Sequence, residues 1–221
     1  MTLKRRSNHT TSSGRLVYKD ECNVVIRVGS RTSPYLSQLS QLHKLDRQGN
    51  FVRTAKMPPT LEQVFTLRGF LSKETMLLFG STKGGPNRCI ATITHGTLEG
   101  SGLHAQILPG GGDWLLIDTK SGTAHLDIRA QARSEKGEFV YMHYPGILRM
   151  DGATQQAFEW CPEAKSTQSK DHYFFTTPIF ETNSEHLKWM EQSVFLGHGH
   201  WHIPGDGTQA VEYEIYKVLS E

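Results

Sequence analysis

Asp127 and Arg129 stand two residues apart in LDIRA, alternating with Leu126, Ile128 and Ala130. In a strand, this spacing sets the carboxylate and guanidinium side by side on one face and the three apolar side chains on the other. On an outer face the pair is a salt bridge of small worth. Inside a barrel it is a polar handle for a ligand oxygen, and its members depend on each other because breaking a buried pair costs about 3–5 kcal/mol. The expectation is that the couple faces an enclosed cavity, either locking the strand or with Arg129 holding Asp127 or a substrate oxygen in place.

Further polar candidates lie on neighbouring segments. His143 is the natural proton carrier near neutral pH, and Tyr144 and Tyr173 can donate to a developing phenolate. Glu181 is a candidate general acid if burial raises its pKa, and equally a partner of Thr182 in capping the helix that follows. Asp113 follows three glycines, where backbone can approach a ligand closely; its alternative is an Asx-turn that satisfies the loop's own amides. Trp114 reads as core or pocket wall, and Trp189 as an anchor packing a helix on a sheet. His198, His200 and His202 in HGHWH would share one face of a strand, about 6.5 Å between alternate residues. Two such histidines can bind one metal ion, but no acid follows at the interval a cupin uses, and Pro204-Gly205 turns the chain away. No metal ligand and no cofactor is assigned.

The elements that must position these residues are mostly strands. The stretch GTLEGSGLHAQILPGGGDWLLIDTKSGTAHLDIRAQAR, Gly96 to Arg133, predicts three strands joined by glycine-rich turns, with Pro109-Gly110-Gly111-Gly112 breaking the second. Strands are also predicted at Asn23 to Val28, Val64 to Leu71, Thr75 to Phe79, Cys89 to Thr94, Phe139 to Tyr144, His172 to Thr177, Ile179 to Thr182, Val194 to Leu196 and Val211 to Leu219. The last of these turns Val211, Tyr213 and Ile215 inward. Residues 150–170 read as a loop or lid. One late helix starts at an Asn183 or Ser184 cap and carries Leu187, Met190 and Val194 on one face. A short helix after Ser33-Pro34 would carry Leu36, Leu39, Leu42 and Leu45. Short, evenly punctuated strands with one short late helix favour an all-β closed antiparallel barrel, because closure removes exposed edges.

Composition narrows the class. Residues 1–56 carry 11 Lys+Arg against 3 Asp+Glu, and residues 57–221 carry 13 against 19. A basic leader on a mildly acidic body, with no basic stripe interleaved with aromatics, argues against nucleic acid. No apolar run approaches the ~20 residues of a membrane span. Cys22, Cys89 and Cys161 are too few and too scattered for a disulfide framework or a cysteine zinc site, so a reduced, cytoplasmic setting is expected. The acid-free, Ser/Thr-rich first 19 residues also suit a mitochondrial transit peptide. Met57-Pro58-Pro59 marks the boundary between residues 1–56, a basic extension or an over-extended gene start, and a barrel domain over 57–221.

The ordered series GTLEGSGLHAQILPGGGDW, LDIRA, YFFTTPIFET, a helix with LKW, VFLGHG and VEYEIYKV resembles the domain-of-unknown-function 3237 family from about Thr60 to the end. The resemblance implies a small calycin-like β-barrel, often a homodimer. Fungal members similar to this chain include cyclases of phenalenone biosynthesis, which close an oxygen ring by intramolecular hydroalkoxylation of an allyl-phenol. The chain departs from the family at Phe175, where an arginine is common.

The leading expectation is therefore a cofactor-free cyclase acting on an apolar aromatic polyketide. Such ring closure needs a proton delivered to an alkene, a tertiary cation shielded from water, and a hydroxyl held over one face. Asp127 or Glu181 would supply the proton, while Arg129, His143 and Tyr173 orient the oxygen. Asp113, Trp114, Tyr144, Phe175 and Trp189 would line the substrate site. The alternatives are a barrel that carries or senses such a molecule unchanged and a cupin-like metalloenzyme.

Overall fold

The computed structural model describes residues 58–220 and, before them, the backbone of four short strands, β1 (Val17–Asp20), β2 (Asn23–Ile26), β3 (His43–Leu45) and β4 (Phe51–Arg53). Two compact units divide the chain at Pro58/Pro59. In the first, β1 pairs with β2 and β3 with β4, both antiparallel. The expected helix after Pro34 lies outside the described residues except at His43–Leu45, which is a strand.

In the second unit, long strands follow one another with tight turns: β5 (Thr60–Leu71), β6 (Leu77–Ser81), β7 (Asn87–Gly100), β8 (Leu103–Asp113), β9 (Leu116–Asp118), β10 (Thr123–Ser134) and β11 (Phe139–Arg149). Shorter elements complete it: helix α1 (Gly152–Phe158), β12 (Phe174–Thr176), β13 (Ile179–Thr182), β14 (Phe195–His202) and β15 (Ala210–Leu219). The sheet runs β11-β12-β14-β15-β5-β7-β8-β10, and β10 pairs back onto β11, so an antiparallel ring closes on itself. Closure forces a two-residue period on every stave. Leu103, Ala105 and Ile107 are buried while His104 and Gln106 are exposed, and Leu126, Ile128 and Ala130 are buried in the same way.

Large side chains fill one end of the ring. Phe65 stacks on Trp189 at 5.6 Å, and Phe180 meets Phe195 edge-on at 5.0 Å. Each fully buried Phe or Leu contributes about 1.5–3 kcal/mol relative to exposure. The segment carrying Trp189 is a 3-10 helix, Glu185–Gln192, rather than an α-helix. Its buried pair Leu187 and Met190 is three apart, the repeat of that tighter helix, and Val194 falls beyond it, 68% exposed. At the other end stand Phe158, Phe174 and Trp201, with α1 where the sequence suggested a loop. Asp151 caps α1 by accepting from the Thr154 amide at 2.8 Å. The weak pattern of GATQQAF hid this helix: only Thr154 and Ala157 are buried.

The triple glycine does not break β8. The strand runs through it with register shifts against both neighbours, because a Cβ on Gly111 would come within 2.6 Å of the Arg129 carbonyl. Gly96 is tighter still: at φ +155° its Cβ would lie 1.9 Å from the Arg68 carbonyl oxygen, whereas Gly122 faces open space. No helix among the described residues is long and apolar enough to cross a membrane.

Gly96→Ala is expected to destabilise the barrel by about 2–4 kcal/mol, since a backbone carbonyl must move. Gly122→Ala, at φ +63° with no neighbour in reach, should cost only about 1 kcal/mol. Urea unfolding midpoints of the two variants check the contrast.

Candidate active site

Ring closure decides which polar residues face inward, and it reverses the leading expectation for LDIRA. Leu126, Ile128 and Ala130 take the lumen side, so Asp127 and Arg129 point outward, each side chain 44% exposed. Arg129 donates to Asp127 Oδ1 at 2.8 Å, and His143 Nε2 lies 3.1 Å from the same oxygen. Burial alone would raise the Asp127 pKa, but the hydrogen bonds from Arg129 and His143 outweigh it and hold this carboxyl below its ordinary value. A permanently ionised surface carboxylate is a poor proton donor. The cluster borders an external groove of about 500 Å³ shared with Phe79, Arg88 and Trp114.

The remaining expected residues divide the same way. Glu181 is exposed on β13, opposite Tyr141. Tyr173 is 46% exposed, with the Arg149 guanidinium 4.5 Å above its ring. Phe175 is half-buried outside the ring, stacked on His198 at 4.4 Å. Trp189 packs on Phe65 in the filled end, with Lys217 5.1 Å from its ring, and so lies away from the lumen. None of these reaches the lumen, because each sits at an outward position of a stave or in the filled end.

Two of the expected residues do line the lumen, Asp113 and Tyr144, and Tyr213 joins them. The cavity has about 40 Å³ of free space and walls that include Ile93, Leu148, Phe174 and Trp201. That suffices for about three waters. Tyr144 meets Tyr213 edge-on at 5.6 Å, and Phe174 meets Tyr213 at 5.2 Å. Asp113 closes β8 where β7, β8 and β10 converge, opposite Ala91 and Ile128. Its Oδ1 accepts the backbone N–H of Asp127 at 2.9 Å. The side chain therefore satisfies a neighbouring strand rather than its own loop.

Burial pushes the Asp113 pKa up to about 7. The Asp127 amide and the Arg88 guanidinium pull it down, and the Asp127 carboxylate across the wall adds to the rise. Burial also raises the Tyr144 and Tyr213 hydroxyls, with Asp113 a further cause for both, so they stay protonated. The lumen thus holds a carboxyl poised between its two protonation states near neutrality and two neutral phenols, all in apolar walls. This is the arrangement a general acid requires.

His198, His200 and His202 do share the outer face of β14, because Gly197, Gly199 and Trp201 take the inner one. They are drawn into separate contacts. His198 stacks on Phe175; His200 Nε2 lies 3.5 Å from Glu212, which pairs with Arg68; His202 meets Phe70 edge-on. Burial lowers the His200 pKa. Among the described residues, no three His, Cys, Asp or Glu side chains gather as metal ligands. The large inward side chain of HGHWH is Trp201, beside the inward Gly199 and masked in the sequence by the histidines around it.

Tyr213 was legible as an inward residue from VEYEIYKV, though not as part of a site. Phe158 and Trp160 were not legible at all. Trp160 stands at φ +55° just past α1, where its N–H bonds to Ala157 O and the Cys161 N–H to Gln156 O. This hydrogen-bond pair closes a helix on a left-handed residue, usually glycine; an aromatic residue there costs roughly 1–2 kcal/mol.

The family described as Protein of unknown function (DUF3237) matches residues 59–218. A UPF0311 protein of Rhodopseudomonas palustris (strain TIE-1) is 30% identical over 165 residues, covering 74% of this chain and all of that protein. A conserved protein of unknown function from Rhodopseudomonas palustris superposes with a TM-score of 0.62 at 25% identity, over 74% of this chain and 100% of its own. A beta-barrel like protein from Acinetobacter baumannii gives 0.57 at 25% identity, over 75% and 99%.

Asp113 makes stability depend on pH in a definite direction. Its folded pKa lies above the unfolded value, so the folded state holds the proton longer and stability falls as pH rises from about 4 to 7. The ionised group then costs up to about 4 kcal/mol. Asp113→Asn, which keeps an oxygen for the Asp127 amide, should remove this slope and unfold at higher urea than the parent at pH 8.

Proposed function

The chain belongs to the DUF3237 family, and on that footing we propose that it is an enzyme that uses the lumenal Asp113 as a general acid to close an oxygen ring in an apolar aromatic metabolite. The observation that carries this reading is the placing of Asp113, anchored on the Asp127 amide, in an apolar-walled cavity it shares with Tyr144 and Tyr213, where burial pushes its pKa up to about 7.

Protonated Asp113 gives its proton to one alkene carbon of the substrate, leaving a carbocation on the other and a carboxylate behind. The substrate's own hydroxyl oxygen attacks that cation, forming the C–O bond. The oxonium proton then returns to Asp113, so the reaction is an isomerisation with no net consumption. Apolar walls keep water from capturing the cation, and the faces of Tyr144, Tyr213, Phe174 and Trp201 stabilise positive charge. Tyr144 and Tyr213, held as phenols, are donors for orienting the hydroxyl. The acid role expected of Asp127 or Glu181 passes in this reading to Asp113, and Asp127 becomes the residue whose backbone amide anchors it.

A second reading is a carrier that leaves its guest unchanged; under either reading the lumen, with about 40 Å³ of free space, has to widen to admit the molecule. The two readings part on one measurement. With an accepted allyl-phenol, Asp113→Asn should lower kcat by at least about 100-fold while KM changes little. The parent's kcat should fall as pH rises through about 7, because the acid must be protonated. Guest recovered unaltered after long incubation with the parent protein would leave the carrier reading.

A further inference from the structure

A cleft of about 730 Å³ opens beside the lumen, and the two share Phe158. Their walls are continuous along the chain. Leu115 lines the lumen and Ile117 the cleft; Leu148 lines the lumen and Met150 the cleft; Leu71 and Lys73 repeat the pattern. Each pair straddles a strand end: Leu71 closes β5, Leu148 lies one residue before the end of β11, and Leu115 precedes β9, so the chain passes from lumen to cleft where these strands begin or run out. The cleft is therefore the mouth of the barrel, and Phe158, held edge-on against Trp201 at 5.6 Å, is the partition.

The charges of the mouth are unequally engaged. Asp118 accepts from the Lys120 amide and Ser121, and Glu159 from Gln155. Lys73 has no ion pair among the described residues. Trp160 lines the same cleft with a strained left-handed backbone and a buried indole N–H that has no hydrogen-bond partner. Strain and an unmet donor at one residue, bordering a cleft, mark a position kept for something other than stability.

We propose that this mouth is a binding site for a flat, largely apolar body bearing an anionic oxygen. Met76, Met150 and Trp160 clasp the ring system, Lys73 meets the oxygen, and Phe158 swings aside to let the reacting end into the lumen. The inference rests on the lumen being the reaction chamber, but the binding it specifies is measurable without turnover.

The test titrates the full chain with 2-naphthoate and its neutral isostere 2-naphthamide, following tryptophan fluorescence and calorimetry. The acid should bind about two- to fivefold more tightly than the amide, the range of a partly exposed ion pair, and Lys73→Met should abolish that preference. Leu78→Glu, at a cleft position 71% exposed and so safe for folding, should weaken the acid at least tenfold. Trp160→Gly should weaken both probes while the urea midpoint holds or rises. Failure of the parent to bind either probe at millimolar concentration, or unchanged binding in Leu78→Glu and Trp160→Gly, overturns the proposal, as does a preference that survives Lys73→Met. Asp113→Asn should bind both probes like the parent. Full turnover by that variant would remove the acid role and leave the mouth site standing.

Discussion

A sheet that closes on itself has one inside, and that single constraint sorts every side chain in the barrel domain. Once β10 pairs with β11, the staves share a lumen, and a residue's place in the two-residue alternation fixes whether it meets water or oil. Burying the apolar alternates, from Phe65 and Leu67 through Ile128 and Ala130 to Ile215, stabilises the ring and leaves little freedom for the polar ones between them. Asp113 is inside because β8 ends there with its glycines tucked under neighbouring carbonyls. Asp127 is outside because Leu126 and Ile128 are in.

The same constraint explains what could be read from the chain and what could not. Period-two patterning made most of the strands and the barrel class visible, and also the inward set Val211, Tyr213 and Ile215. It could not say which face of LDIRA was inner for the polar pair, since a carboxylate beside a guanidinium suits a lumen as a handle and a surface as a salt bridge. The apolar partners were the better guide: three buried residues outweigh one ion pair in fixing the face. The triple glycine looked like a turn because glycine serves turns and close strand crossings alike. Only the carbonyl of Arg129, supplied by a strand far along the chain, tells them apart.

The site was half legible for a related reason. Asp113 and Tyr144 stood out by residue type, but the mouth was invisible, because α1 has a sparse apolar pattern and its glycine-like stop is a tryptophan. Long-range contact decides both. Phe158 has meaning only against Trp201, and the acid's raised pKa exists only because strands from three parts of the sequence remove water from around it.

One stave is unlike the rest. β12 spans Phe174–Thr176 and shares only a few rungs with β11 and β14, yet the chain leaves and rejoins the ring around it, from α1 to the 3-10 helix. On the proposed reading, structure and specificity are thereby carried by different stretches of sequence. The long staves can stay constant while the excursion between β11 and β12 is rewritten, giving one durable vessel many interchangeable stoppers.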